Sequence, residues 1–159
     1  MEKYRILFVC HGNICHGNIC RSPMAEFVMK KMVKDAGLEQ QFEIASAATS
    51  MEEYGNPVYP PARRKLAENG IGCEGKTARQ MTRADYDYYD LIIAMDHSNL
   101  RGIQRIIGTD DRHKVSLLMD HTDNPHDVAD PWYTGNFDAT WEDVTAGCTA
   151  LLHELCPTR

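Results

Sequence analysis

No apolar run in this chain approaches the roughly 18 residues that a membrane-spanning helix requires. Positive charge is not in excess either: 17 Lys and Arg stand against 23 Asp and Glu, a formal net charge of −6. That balance argues against a general nucleic-acid binder, because duplex affinity rests on cationic contacts to phosphate, although a local basic pocket is compatible with it. The apolar stretch Ile6-Leu7-Phe8-Val9 is too short for the core of a secretory signal, so a cytoplasmic location is expected. Neither a linker nor a second domain is visible. Two domains within 159 residues would each sit near the lower limit of self-stability, and one domain over residues 1–159 is expected. With 43% hydrophobic and 25% charged residues, the composition suits an ordinary globular protein.

A disulfide framework is also missing, despite six cysteines. Cys10, Cys15 and Cys20 crowd together while Cys73, Cys148 and Cys156 are scattered, so reduced thiols are the better reading, with Cys148 packing on a helix face. Cys10, His11, Cys15, His16 and Cys20 have the chemistry of zinc ligands but lack the usual Cys-x2-Cys spacing. They have a simpler origin: His11-Gly12-Asn13-Ile14-Cys15 is followed at once by His16-Gly17-Asn18-Ile19-Cys20. A five-residue unit is too short for a solenoid, which makes this a local duplication within residues 11–20. No metal and no cofactor are expected.

What is present is an alternation of strand and helix patterns. Ile6 to Val9 reads as a buried strand. Met24, Ala25, Val28, Met29, Met32 and Val33 share one helical face, with Glu26, Lys30, Lys31 and Lys34 opposite. Ser22-Pro23 suits the N-cap and first position of that helix, and Gly37 its stop. Phe42–Ala45, Leu91–Met95 and Val115–Leu118 read as further strands, Ala62–Asn69 and Asn99–Ile107 as helices. Trp141, Val144, Cys148, Leu151, Leu152 and Leu155 form a final amphipathic helix, and residues 119–140 read as a long loop of the kind that often carries function. Tyr86, Tyr88 and Tyr89 lie in an acidic stretch and suit surface and packing roles, with phosphorylation as the alternative. The alternation predicts an α/β fold: a parallel sheet with helices on both faces, and a ligand site beyond the carboxyl ends of the strands.

The loop after the first strand fits that position. Cys15-His16-Gly17-Asn18-Ile19-Cys20-Arg21-Ser22 is Cys-x5-Arg-Ser between a strand and a helix. A helix N-terminus offers unpaired N–H groups and positive potential to an oxyanion. Gly17 permits backbone curvature and Asn18 tolerates left-handed conformations, so successive N–H groups can converge on one centre. The planar fork of Arg21 can clamp two phosphate oxygens, and its charge favours a thiolate at Cys15, making it a nucleophile. Ser22 can donate to the thiolate or to the departing sulfur. In Asp130-Pro131-Trp132-Tyr133, on the long loop, a carboxylic acid could protonate a leaving phenolate. Trp132 and Tyr133 could wall an aromatic substrate or anchor the loop.

Together these residues resemble the low-molecular-weight protein tyrosine phosphatases. The resemblance extends through Ser46-Ala47-Ala48-Thr49-Ser50, Lys76-Thr77-Ala78-Arg79-Gln80, Met95-Asp96 and the late Asp-Pro. It implies a four-stranded parallel sheet and a metal-free, two-step mechanism acting on a phosphotyrosine protein or a small aryl phosphate. Cys15 would attack phosphorus, residues 16–22 (His16, Gly17, Asn18, Ile19, Cys20, Arg21, Ser22) would bind a phosphate or sulfate ion, and Asp130 would act as acid and then base. The resemblance further implies that Asn18 braces the loop with Ser22 and Ser46, and that Ile19 suits phosphotyrosine over phosphoarginine. It also implies a protective Cys15–Cys20 disulfide, with simple packing of Cys20 as the alternative. Ser46 and Asp96 are expected as structural supports.

In members of that family the nucleophile directly follows the first strand. Here Cys10 keeps the distance to the strand but has His16 six positions later, whereas Cys15 keeps the distance to Arg21. Spacing to Arg favours Cys15, with residues 10–14 bulging between strand and loop and Cys10 as the alternative nucleophile. Threading the surplus through the strand would invert its faces and bury His11 and Asn13. Competing functions are an inactive, oxyanion-binding variant and a thiol-dependent arsenate reductase. The latter needs further cysteines, and only Cys73 lies mid-chain.

Overall fold

The apolar run at Ile6 becomes the middle of strand β1 (Tyr4–Cys10), the central strand of a four-stranded parallel sheet. The computed structural model describes residues 3–10, 21–49, 58, 60–73, 75–76, 79–129 and 136–156. After β1 come helix α1 (Arg21–Asp35), strand β2 (Phe42–Ala48), helices α2 (Pro60–Glu68) and α3 (Arg83–Tyr88), and strand β3 (Leu91–Ala94). Helix α4 (His97–Ile107), strand β4 (Val115–Leu117), a 3-10 turn at Leu118–His121 and helix α5 (Phe137–Leu155) complete the order. The strands lie side by side as β2-β1-β3-β4. The expected α/β domain with a four-stranded parallel sheet is therefore the fold.

Alternation along β1 divides the core in two, because successive side chains in a strand point to opposite faces. Ile6, Phe8 and Cys10 join Met24, Val28 and Met29 of α1 and Val144, Cys148 and Leu151 of α5. Leu7 and Val9 turn the other way and meet Ile103 and Ile107 of α4 with Tyr86 of α3. Both faces are covered, so the strand is apolar without interruption, as parallel strands usually are. Burial pushes the Cys148 thiol well above its ordinary pKa of 9.0, and its sulfur lies 3.7 Å from the Ala25 carbonyl; it is a packing residue.

Several boundaries differ from the sequence expectation. Strand β1 includes Cys10, which pairs with Ala48 and whose carbonyl accepts from Thr49 N–H at 3.1 Å, so residue 10 belongs to the sheet and not to a bulge. Helix α1 is described from Arg21, so Ser22 lies within it, fully buried, with its hydroxyl 2.9 Å from the Cys10 sulfur. Strand β2 runs on to Ala48, beyond the apolar pattern, because Ser46 finds a buried partner and Ala48 bonds to Arg79 and Met81 on the next segment. Helix α5 starts at Phe137, four residues before Trp141, because the Asn136 side chain accepts from Ala139 N–H at 3.1 Å and caps it. Helix α3 was legible only as a tyrosine-rich acidic stretch; a reciprocal Thr82–Asp85 capping box starts it. Within it Tyr86 is buried and Tyr88 exposed. Gly37 ends α1 as expected: its φ of +74° is a left-handed conformation that favours glycine. Among the described residues no helix is long and apolar enough to cross a membrane.

Candidate active site

Strands β1 and β3 deliver their contributions at their carboxyl ends, where parallel α/β sheets place their ligands. From β1 comes Cys10, 3% exposed, with its sulfur 2.9 Å from the hydroxyl of Ser22. Ser22 and Arg21 occupy the first turn of α1, where backbone N–H groups lack helical partners and the helix dipole is positive. A cysteine and a serine twelve positions apart are thus neighbours at a helix N-terminus.

Arg21 is buried, and two elements fix its guanidinium. Nη1 donates to Asp96 Oδ2 at 2.8 Å and to the Val128 carbonyl at 3.1 Å. Asp96 caps α4 immediately after β3: its Oδ1 accepts from Asn99 N–H at 2.9 Å, leaving Oδ2 for Arg21. Asn99 in turn accepts from the N–H groups of Met95 and Asp96, which locks the turn carrying the carboxylate. Asp96 thus caps α4 with one carboxylate oxygen and holds the guanidinium of Arg21 with the other. A cation held by fixed acceptors costs little reorganisation when it meets an anion.

Behind α1 lies a second buried polar group. Glu26 is 3% exposed; its Oε1 accepts from Ser46 Oγ at 2.5 Å and from Lys76 Nζ at 2.9 Å, and its Oε2 accepts from Lys30 Nζ at 2.6 Å. Lys76 also donates to the Ser46 carbonyl at 3.1 Å. Helical periodicity had put Glu26 on the solvent face; this part of α1 is roofed by β2 and Lys76 instead. Burial alone would push the Glu26 carboxyl up, but Lys76, Lys30 and Ser46 hold it below its ordinary 4.5. The partner of the Ser46 hydroxyl is therefore Glu26.

Glu26→Ala is expected to destabilise the fold by about 3 kcal/mol, because it strands the ammonium of Lys76 in a buried site. Urea unfolding at neutral pH measures the loss. The group's folded pKa is depressed, so its contribution is complete above 4.5 and is lost as pH falls through the folded value. The deficit of the variant should therefore shrink in acid.

Other residues singled out from sequence fall outside the described residues: Cys15, His16, Gly17, Asn18, Ile19, Cys20, Asp130, Trp132 and Tyr133, and with them the duplicated segment. The chain leading to Asp130 is described up to Ala129. Val128 N–H donates to the Met95 carbonyl at 2.9 Å, tying the loop to the end of β3. Sequence reading missed Glu26, Asp143, Thr140 and His126; each acts through a partner distant in sequence, and no short motif announces them. A shallow cleft lined by Lys3, Arg5, Glu43 and Asp90 lies at the opposite, amino end of the strands.

A buried arginine in the first turn of α1, with the strand-end thiol of Cys10 against the adjacent Ser22, is an arrangement that suits an oxyanion ligand. The model of the low molecular weight phosphotyrosine protein phosphatases matches residues 5–158, and the chain belongs to that family. It is 36% identical over 149 residues to the Bacillus subtilis low molecular weight protein-tyrosine-phosphatase YfkJ, covering 92% of each chain. The crystal structure of YfkJ superposes with a TM-score of 0.90 at 34% identity, over 98% of this chain and 96% of that one. Wzb of Vibrio vulnificus, solved in complex with benzylphosphonate, superposes at 0.80 with 26% identity, over 96% of this chain and 99% of that one.

Proposed function

We propose that this protein hydrolyses aryl phosphate monoesters, phosphotyrosine in a protein among them, through a cysteinyl-phosphate intermediate. The observation that carries the reading is the Cys10–Ser22 contact beside a buried, pre-oriented Arg21 at the N-terminus of α1. Family membership and the benzylphosphonate held by the Vibrio relative support it, since that ligand has the charge and shape of an aryl phosphate.

In the first step the thiolate attacks phosphorus, the S–P bond forms and the P–O bond to the leaving group breaks. Asp130 gives its proton to the departing oxygen. In the second, water attacks phosphorus and passes a proton to Asp130, the S–P bond breaks and the thiolate returns. Arg21 and the N–H groups at the start of α1 hold the oxygens of the transferring group, whose charge is spread over them in the transition state. Trp132 and Tyr133 face the aromatic ring, and the segment from His16 to Ser22 cradles phosphate or sulfate.

Two cysteines have a claim on the nucleophile's role. Cys15 has the five-residue spacing to Arg21. That spacing matters only as a route to proximity in space, and the fold brings Cys10 against Ser22 although twelve positions separate them. The serine hydroxyl can stabilise a thiolate there, which favours Cys10 as the nucleophile and makes Cys15 the second reading. The inserted five residues then enlarge the loop and reduce turnover.

Hydrolysis of p-nitrophenyl phosphate by the parent and by Cys10→Ser, Cys15→Ser and Cys20→Ser decides the matter. Loss of roughly 10⁴-fold or more on changing Cys10 alone is the expected result. The same loss on changing Cys15 alone would transfer the role to the downstream repeat. An inert parent that binds phosphate would identify an oxyanion-binding variant. Thiol-dependent arsenate reduction without phosphate hydrolysis would point to the reductase chemistry.

A further inference from the structure

Two side chains of α5 grip Ala129 by both of its backbone polar groups. Asp143 Oδ2 accepts from the Ala129 N–H at 3.1 Å, and Thr140 Oγ1 donates to the Ala129 carbonyl at 2.8 Å. Ala129 is the last described residue before Asp130, and its carbonyl is part of the planar peptide that links the two. Thr140 is fully buried, and Asp143 lies three positions further on, which places both on one face of the helix. The preceding residue, Val128, is held by Met95 and Arg21.

The second oxygen of Asp143 is held from the loop. His126 Nε2 lies 2.9 Å from Asp143 Oδ1, while His126 Nδ1 lies 2.6 Å from the Asn124 carbonyl. Both ring nitrogens therefore face acceptors. A neutral imidazole carries one N–H and can satisfy only one of them; the imidazolium satisfies both. Among the described residues, the charged groups acting on the ring are Asp143 on α5 and Asp127 in the loop, the latter paired with His97 of α4 at 2.7 Å.

We propose that Thr140, Asp143 and His126 are positioning residues for leaving-group protonation: they clamp the approach to Asp130 onto α5, and the clamp is tightest when His126 is an imidazolium. This rests on the reading of Asp130 as the general acid. The hydrogen bond to Asp143, helped by the Asn124 carbonyl, raises the His126 pKa above its ordinary 6.5. The clamp is accordingly complete below 6.5 and loosens as pH rises through the folded value. His126 is 40% exposed on its side chain, so solvent screens part of the effect.

The test uses the dependence of kcat/KM on the leaving group. A poor leaving group such as phenolate needs the proton, whereas 2,4-dinitrophenolate departs without it. Thr140→Val is expected to lower kcat/KM for phenyl phosphate about tenfold to a hundredfold and to change the dinitrophenyl ester by less than about threefold. Thr140→Ser, which keeps the hydroxyl, should restore most of the loss. His126→Gln should lose about fivefold with phenyl phosphate in acid, and the gap to the parent should close as pH rises above the His126 titration. Equal losses with both esters, or none with either, would overturn the clamp, as would a gap for His126→Gln that is independent of pH. Asp130→Asn separates the two readings. If it shows no leaving-group dependence, the assignment of Asp130 fails; if it does and the clamp variants do not, only the clamp fails.

Discussion

Arg21→Lys is expected to lower kcat/KM for an aryl phosphate by about a thousandfold while the protein stays folded. The guanidinium has five N–H donors in a rigid plane, and the ammonium has three on one atom. Nη1 donates to both Asp96 and the Val128 carbonyl. A lysine at this position has one nitrogen to divide between those acceptors and the phosphoryl oxygens, and it cannot offer a planar pair to two oxygens at once. The loss should appear in kcat more than in substrate affinity, because charge builds on the oxygens in the transition state. Steady-state kinetics with circular dichroism as a folding control measures it; a loss below about tenfold would remove Arg21 from the chemistry.

Removing one copy of the repeat is expected to act in the opposite direction. Because the copies are identical, deleting residues 11–15 or 16–20 gives the same protein, in which Cys10 is followed after five residues by Arg21. The nucleophile then has both its distance to the strand and its distance to the arginine. A misplacement of about 1 Å costs on the order of a hundredfold, so the shortened protein should gain about that factor in kcat/KM. Equal rates before and after would show that the surplus residues are excluded from the site and that the repeat is neutral for catalysis.

Much of this architecture was legible in the sequence because it follows from local periodicity. The apolar run at Ile6 to Val9 sets the central strand, and the spacing from Met24 to Val33 sets the helix that follows. Cys-x5-Arg-Ser between them points to an oxyanion ligand, since a helix N-terminus and a fixed cation suit that ligand wherever they occur together. The pairing of Asp96 with Arg21 is not legible in sequence, because it joins residues 75 positions apart. Glu26 shows the reverse failure. Its helical position predicted solvent, yet β2 and Lys76 cover it, and a side chain's burial is set by what packs over the helix.

The sequence by itself determined the fold class and the family, because each rests on patterns within a strand, a turn or a helix. Tertiary structure alone decided that Cys10 lies against Ser22, that Val128 and Asp96 orient Arg21, and that α5 holds Ala129. Those pairings join segments distant along the chain, and their geometry is fixed only when the sheet forms and helices close over both faces.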